Sequence, residues 1–476
     1  MSLIIFQKRF ILLHQGRQMT TVKRAFKSRR MVTVKRALLS SAVTVLVGYA
    51  HLLRNTLERE QKQQLIDLHN VLPRSYSTDN YSADKTARNY KLQEQELRDR
   101  NEVFFMYDSP KLIQQKTINR LIDPVRRPPA LLKRFGEEAK VENEILDFLS
   151  KSPLRTLNTS QAMVFLIPFR VGASLIARRA SRFLEVLQAL EQSSHWIKGK
   201  PHVLLALNTV TFDVYHHMTG HVTSRGLTEE FYRRTKSAIV VRSCDSFYMS
   251  RVSRQGLAMG HDFEPYFSSN VTLSQRGFSL GLLPSLSLPY IPATYEKFQT
   301  VKNFIFYQTR VEPSAYQSTH YRMAPLDVAD QILYTSSIGL GLPPDKWLEE
   351  FRDSQFCLAV RGDTPHTHAL MNAVKLGCIP VIISDFYPLF APTFASSLNM
   401  EEFCIIIAEQ EFIRDPAGVL NDLRNLSEDY IRQTLQALAF AQKVILIDHP
   451  ESLFAHAFIK ESLMSFQNSP THFSMY

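Results

Sequence analysis

Acidic residues are missing from the first 57 positions of this 476-residue chain, although those positions carry eleven Lys and Arg. Taking the eleven from 56 basic residues leaves 45, against 45 acidic residues in the remainder, so the body is neutral despite a formal net charge of +11. A neutral body lacks the basic footprint of a nucleic-acid-binding domain and argues against that function. Cysteine is scarce as well. Cys244, Cys357, Cys378 and Cys404 have no metal-type spacing, which removes a cysteine zinc site. They read as buried small apolar side chains, with a disulfide in an oxidising lumen as the alternative. The composition, 45% hydrophobic and 21% charged, is that of a globular chain with core for two domains, not of a disordered one.

Residues 37–53, ALLSSAVTVLVGYAHLL, form an uncharged apolar run at the short end of what spans a bilayer. Basic residues precede it, so the positive-inside rule leaves residues 1–36 in the cytosol and sends the body into the lumen: a type II signal-anchor. A mitochondrial transit peptide and a soluble or cleaved leader are the competing readings. The stretch TVKRA occurs at 21–25 and again at 33–37, each copy preceded by a methionine, so Met1, Met19 and Met31 are all candidate starts. Residues 54–100, rich in Gln, Glu, Lys, Arg and Asn, suit an exposed stem. Four sequons, at Asn80, Asn158, Asn270 and Asn425, fit a lumenal body.

From residue 101 apolar runs alternate with amphipathic segments. Strands are expected at 103–107, 162–167, 202–207 and 238–242, and helices at 137–149 and 175–190. This alternation predicts a parallel sheet under covering helices in a first domain, 101–297. Residues 271–292 read as connecting structure. A second domain, 298–450, opens on a strand at 304–307. It continues with a helix at 345–352, a strand at 403–408 and a helix at 428–447, and residues 451–476 are a tail.

The most informative segment is 356–388, FCLAVRGDTPHTHALMNAVKLGCIPVIISDFYP. It reads as strand, polar loop, helix, strand, polar loop. Thr364 is a good N-cap and Pro365 suits a first helical turn. Leu370, Ala373 and Val374 share one helical face, and Gly377 fits a helix stop. A parallel βαβ unit brings Arg361, Gly362, Asp363 and Thr364 next to Ser384 and Asp385 at the carboxyl ends of neighbouring strands, where open α/β sheets bind ligands. A helix N-terminus beside an arginine and a glycine suits an anion such as a diphosphate. Arg310, at the end of the run FIFYQTR, either faces the same diphosphate or is a solvated arginine. Asp385 and Glu409 end successive strands on the same edge, where a carboxylate either accepts sugar hydroxyls or caps a helix.

The segments Phe356-Cys357-Leu358, Arg361-Gly362-Asp363-Thr364-Pro365 and Gly377-Cys378-Ile379-Pro380-Val381, followed by Ser384-Asp385, resemble in order and spacing the signature of the exostosin-type glycosyltransferases. Weaker likenesses lie at 104–108, 165–169 and 403–409. The resemblance implies a GT-B fold, two Rossmann-like domains facing across a cleft, and an inverting sugar transfer from a nucleotide-sugar to a glycan. It also implies donor contact by Glu409. The chain departs from the family pattern after Pro365. His366-Thr367-His368-Ala369 stand where two Ser and one or two Arg are usual, and Asn372 replaces an Asp. Thr367, His368 and Asn372 join the donor-side candidates, His368 as a substitute donor or cation. Ala369 and Asn372 keep a second reading open, a non-catalytic glycan- or nucleotide-sugar-binding protein of the same fold.

No metal or cofactor is expected. His366 and His368 lack a third ligand, and the patch His216, His217, His221 lacks the glutamate of a zincin helix. Inverting transfer needs a base for the acceptor hydroxyl. Asp108, Asp213, His217, Asp262 and Glu264 are the candidates, unranked. The partners expected are a nucleotide-sugar, a UDP-sugar first, a glycan acceptor and a Golgi or ER membrane. Donor sugar and acceptor are not legible.

Overall fold

A computed structural model describes residues 89–109, 112, 129–170, 174, 181–197, 199–207, 234–235, 238–243, 277–281, 283–284, 286–309, 333–336, 342–360, 367–384, 387 and 393–467. In chain order the first part holds α1 (Tyr90–Asp99), β1 (Phe104–Met106), α2 (Pro129–Ser150), β2 (Arg155–Thr156) and β3 (Val164–Ile167). It goes on with α3 (Ser181–Glu191), β4 (His202–Leu205), β5 (Ile239–Arg242) and β6 (Gly277–Ser279). The strands pair in the order β2-β1-β3-β4-β5-β6, all parallel. The inner strands β1, β3, β4 and β5 are buried at every position and mostly apolar, as strands covered on both faces require. Val164, Leu166, Val203, Leu205 and Val241 point to one face, which Ile145, Leu146 and Leu149 of α2 cover. Phe165, Ile167, Leu204 and Val240 point to the other, under Phe183, Val186, Leu187 and Leu190 of α3.

The second sheet is built the same way. It comprises α4 (Tyr295–Thr300), β7 (Asn303–Thr309), β8 (Leu333–Ser336), α5 (Pro344–Arg352), β9 (Ser354–Val360), α6 (His368–Lys375), β10 (Ile379–Ile383), α7 (Met400–Phe403) and β11 (Ile405–Ile407). Four helices follow: α8 (Glu409–Arg414), α9 (Pro416–Arg424), α10 (Glu428–Ile445) and α11 (Phe454–Gln467). The order is β11-β10-β9-β7-β8, again all parallel. Each sheet therefore reverses its winding once, between β1 and β3 and between β7 and β9. A doubly wound sheet opens its ligand crevice at that switch point, outside the carboxyl ends.

Several local expectations change. The connecting stretch 271–292 contains strand β6, which pairs with β5. Phe403 ends a helix: Asn399 caps α7 by accepting from Glu401 N, and the strand is confined to 405–407. The tail after 450 contains α11. Its Phe454 stands edge-on to Phe148 at 5.9 Å and Phe394 at 5.2 Å, and its Phe458 to Phe278 at 5.7 Å. The last residues of the stem segment form α1, docked by Tyr90 stacked on Phe440 and by the Lys443–Glu94 ion pair at 2.8 Å. One contiguous apolar cluster holds side chains of both sheets. Residues 37–53 lie outside the described residues. Among the described residues no helix is long and apolar enough to cross a membrane.

Candidate active site

The β9–α6–β10 unit is the frame of the site. β9 and β10 run in register from Phe356 opposite Ile379 to Val360 opposite Ile383. Helix α6 begins at His368, not near Pro365. Thr367 has the extended backbone of an N-cap (φ −146, ψ 146), and its hydroxyl accepts from Ala369 N at 3.3 Å. Thr367 carries the cap chemistry expected of Thr364, and Thr364 and Pro365 lie outside the described residues. Leu370, Ala373 and Val374 are all buried, Leu370 and Val374 in the main core and Ala373 in a smaller cluster with Cys357 and Cys378. Gly377 ends the helix at φ +63, where a Cβ would stand 2.8 Å from the carbonyl oxygens of Ile291 and Pro292. Lys297 Nζ donates to the carbonyls of Leu376 at 2.7 Å and Gly377 at 3.0 Å, and burial pushes its pKa down to about 8. Cys357, midway along β9, and Cys378, just before β10, form a disulfide. The two cysteines are buried as expected but bonded to each other, the alternative reading of the sequence.

At the carboxyl ends, Ser384 follows β10 and is fully buried, and its Oγ has no hydrogen-bond partner among the described residues. Glu409 opens α8 two residues beyond β11 and is 2% exposed. His368 is exposed at the start of α6, and Asn372 is half-buried one turn on. Arg310 directly follows β7 in the chain and Arg361 directly follows β9, so the two strands of the switch point each lead into an arginine. Arg310, Arg361, Gly362, Asp363, Thr364 and Asp385 themselves lie outside the described residues.

The carboxyl end of β6 meets the first turn of α6 and the residues that follow β10. Gly281, two residues past β6, has φ +68, and a Cβ there would lie 2.5 Å from Met371 Cε, 3.0 Å from Thr393 Oγ1 and 3.3 Å from Tyr387 Oη. Met371 belongs to the first turn of α6, Tyr387 and Thr393 follow β10, and Ser279 bridges to Thr393. This junction was not legible beforehand; glycine at 281 was its only trace.

On the first sheet, Asp108 is exposed two residues past β1, next to β3 and so at that sheet's switch point. Asp213, His217, Asp262 and Glu264 lie outside the described residues. Below Asp108, Tyr107 Oη donates to His202 Nδ1 at 3.1 Å and His202 Nε2 donates to Ile197 O at 3.1 Å. Burial lowers the His202 pKa to about 4 and so keeps the ring neutral. Arg170, just past β3, is buried and bonds Asn143 and Asp147. Among the described residues no three His, Cys, Asp or Glu side chains are grouped to hold a metal ion.

Residues 294–423 match the Exostosin GT47 domain. A xyloglucan-specific galacturonosyltransferase of Arabidopsis thaliana is 20% identical over 289 residues, 57% of this chain and 40% of the relative. A "Probable glucuronosyltransferase" of Oryza sativa subsp. japonica is 38% identical over 68 residues, 14% of this chain and 16% of the relative. A "Probable beta-1,4-xylosyltransferase" of Arabidopsis thaliana is 37% identical over 68 residues, again 14% and 16%. The chain thus spans well under half of the length of these relatives. Two solved structures align with TM-scores of 0.27 and 0.20, too slight a likeness to carry an argument.

Proposed function

With an exostosin GT47 domain at residues 294–423 as the premise, we propose that the chain is an exostosin-type glycosyltransferase, moving a sugar from a nucleotide-sugar to a glycan acceptor. The observation that carries this reading is a coincidence of two independent facts. The family match covers β7 to β11, and that sheet's switch point lies between β7 and β9, the two strands that lead into Arg310 and Arg361. The donor diphosphate lies there, against Arg361, Arg310 and the N-terminus of α6. The same groups stabilise the diphosphate as it leaves, without a metal. Gly362, Asp363 and Thr364 shape the loop. Ser384, Asp385 and Glu409 hold the nucleoside side, and Thr367, His368 and Asn372 line the helix start.

The acceptor binds at the carboxyl edge of the first sheet, facing the donor across the junction at Gly281, in the two-sheet plan of a GT-B enzyme. Asp108 takes the proton of the attacking hydroxyl, and the sugar inverts. Asp108 is the one candidate of the five among the described residues, and it is exposed at a switch point. The Cys357–Cys378 disulfide supports a home in an oxidising compartment. In this reading residues 37–53 anchor the chain in a Golgi or ER membrane with its body in the lumen.

The test is a transfer assay over a panel of UDP- and GDP-sugars with glycan acceptors. Turnover is expected with at least one pair. Asp108→Asn should cut the rate by about 10²–10⁴-fold and leave donor affinity unchanged, as loss of a general base does. Saturable donor binding with no transfer to any acceptor would favour the non-catalytic reading instead. Ala369 gives that reading its one structural support: it packs against the main core and offers no charge where the family often places an arginine.

A further inference from the structure

We propose that Asn158 is an N-glycosylation site whose oligosaccharide covers Leu157 at the edge of the first sheet; the inference rests on the lumenal placement proposed above. β2 ends the order of its sheet among the described residues, with Arg155 N turned back to Ser152 O at 3.1 Å, whereas β6 at the opposite end is bridged to Thr393 through Ser279. An uncovered edge is a template for pairing with another chain. Leu157, the residue after β2, is 80% exposed, the most exposed large apolar side chain among the described residues. Shortness, charge and proline protect such an edge in part, as in two-residue β2 with Arg155 on it and Pro153 before it, but none of them covers Leu157. The turn that leaves β2 carries the sequon Asn158-Thr159-Ser160.

The turn presents the asparagine for modification. Asn158 is exposed. Its Oδ1 accepts from Ser160 N at 3.0 Å and from Ser160 Oγ at 2.7 Å, which leaves Nδ2 without a hydrogen-bond partner among the described residues. Asn158 N donates to Thr156 Oγ1 at 3.0 Å and Gln161 N to Asn158 O at 3.1 Å, so the turn is held by its own bonds and a group on Nδ2 displaces none of them. The co-substrate is an oligosaccharide on a lipid diphosphate. The bond between Nδ2 and the sugar C1 forms, the bond from C1 to the diphosphate oxygen breaks, Nδ2 loses a proton, and the lipid diphosphate leaves.

The experiment is peptide mapping of the full chain made in cells with a secretory pathway, after enzymatic deglycosylation, which converts a modified asparagine to aspartate. Residue 158 should be recovered as Asp. Ser160→Ala should return it as Asn, Ser160→Thr should restore Asp, and the Ser160→Ala chain should self-associate more in light scattering. Protease protection of the C-terminus in sealed microsomes is measured on the same material. Asn at position 158 in a chain whose C-terminus is protected overturns the proposal and leaves the lumenal reading standing. Asn at 158 in a chain whose C-terminus is digested overturns both.

Discussion

His202 sits where a proton is costly. Its ring spends Nε2–H on Ile197 O and accepts from Tyr107 Oη, and it lies 4.4 Å centroid to centroid from Trp196. Burial holds its folded pKa near 4, against an ordinary value of 6.5. As pH falls through 6.5 the unfolded chain binds this proton while the fold does not, so stability is lost from 6.5 downward and the loss levels off near 4. At about pH 5 the loss from this one ring is on the order of 2 kcal/mol. Urea unfolding at neutral pH and at about pH 5 should show that loss in the wild type and a smaller one in His202→Gln. Equal losses in both chains would clear His202 of the effect. None of this could be read in advance, because Tyr107 and His202 are 95 residues apart and only the pairing of β1, β3 and β4 brings them together. The N-cap falls at Thr367, three residues after the expected Thr364, because its backbone is extended and sits one residue before helical φ and ψ begin.

The β9–α6–β10 unit was legible because every local signal agreed: two unbroken apolar runs, a capped amphipathic helix and a glycine at its end. What the pattern did not contain is how the unit is fastened. Gln442 Nε2 donates to Val374 O at 2.7 Å and Ile291 O at 2.8 Å, Ala293 N donates to Gln442 Oε1 at 3.0 Å, and buried Lys375 pairs with Asp448 at 2.6 Å. These bonds run from the end of α6 to the segment before α4 and to α10, across long stretches of chain. The disulfide adds a covalent tie over a separation of 21 residues. Closing a loop of that size is worth about 3 kcal/mol through the entropy of the unfolded chain. The double variant Cys357→Ala, Cys378→Ala should unfold with roughly that much less free energy. A reductant should lower the wild type to the same level and leave the double variant unmoved, and a wild type indifferent to reductant would contradict the tie. Short β6 escaped the reading for a related reason. Its Gly277-Phe278-Ser279 has no run of apolar residues, and it is a strand because β5 and Thr393 pair with it.

At the scale of the whole molecule the decisive feature is that two parallel sheets of the same winding are joined where the carboxyl end of β6 meets α6 and the residues after β10, at Gly281, Met371, Tyr387 and Thr393. Helix α11 secures the arrangement, returning under the first sheet after the second is complete and packing Phe454 and Phe458 against aromatic rings of three other segments. Two α/β halves could be anticipated from the alternation of runs. Their shared core and the role of α11 could not, because a helix following the last strand has no sequence mark that says which sheet it covers. The central claim is that a nucleotide-sugar binds where β7 and β9 diverge. Calorimetric titration of the protein with UDP- and GDP-sugars, and with the free diphosphates, tests it directly. The account predicts saturable binding of at least one nucleotide, weakened in Arg361→Ala by about 1.5–3 kcal/mol, the scale of a charge-assisted hydrogen bond. No binding of any nucleotide, or an affinity that Arg361→Ala leaves unchanged, would contradict it.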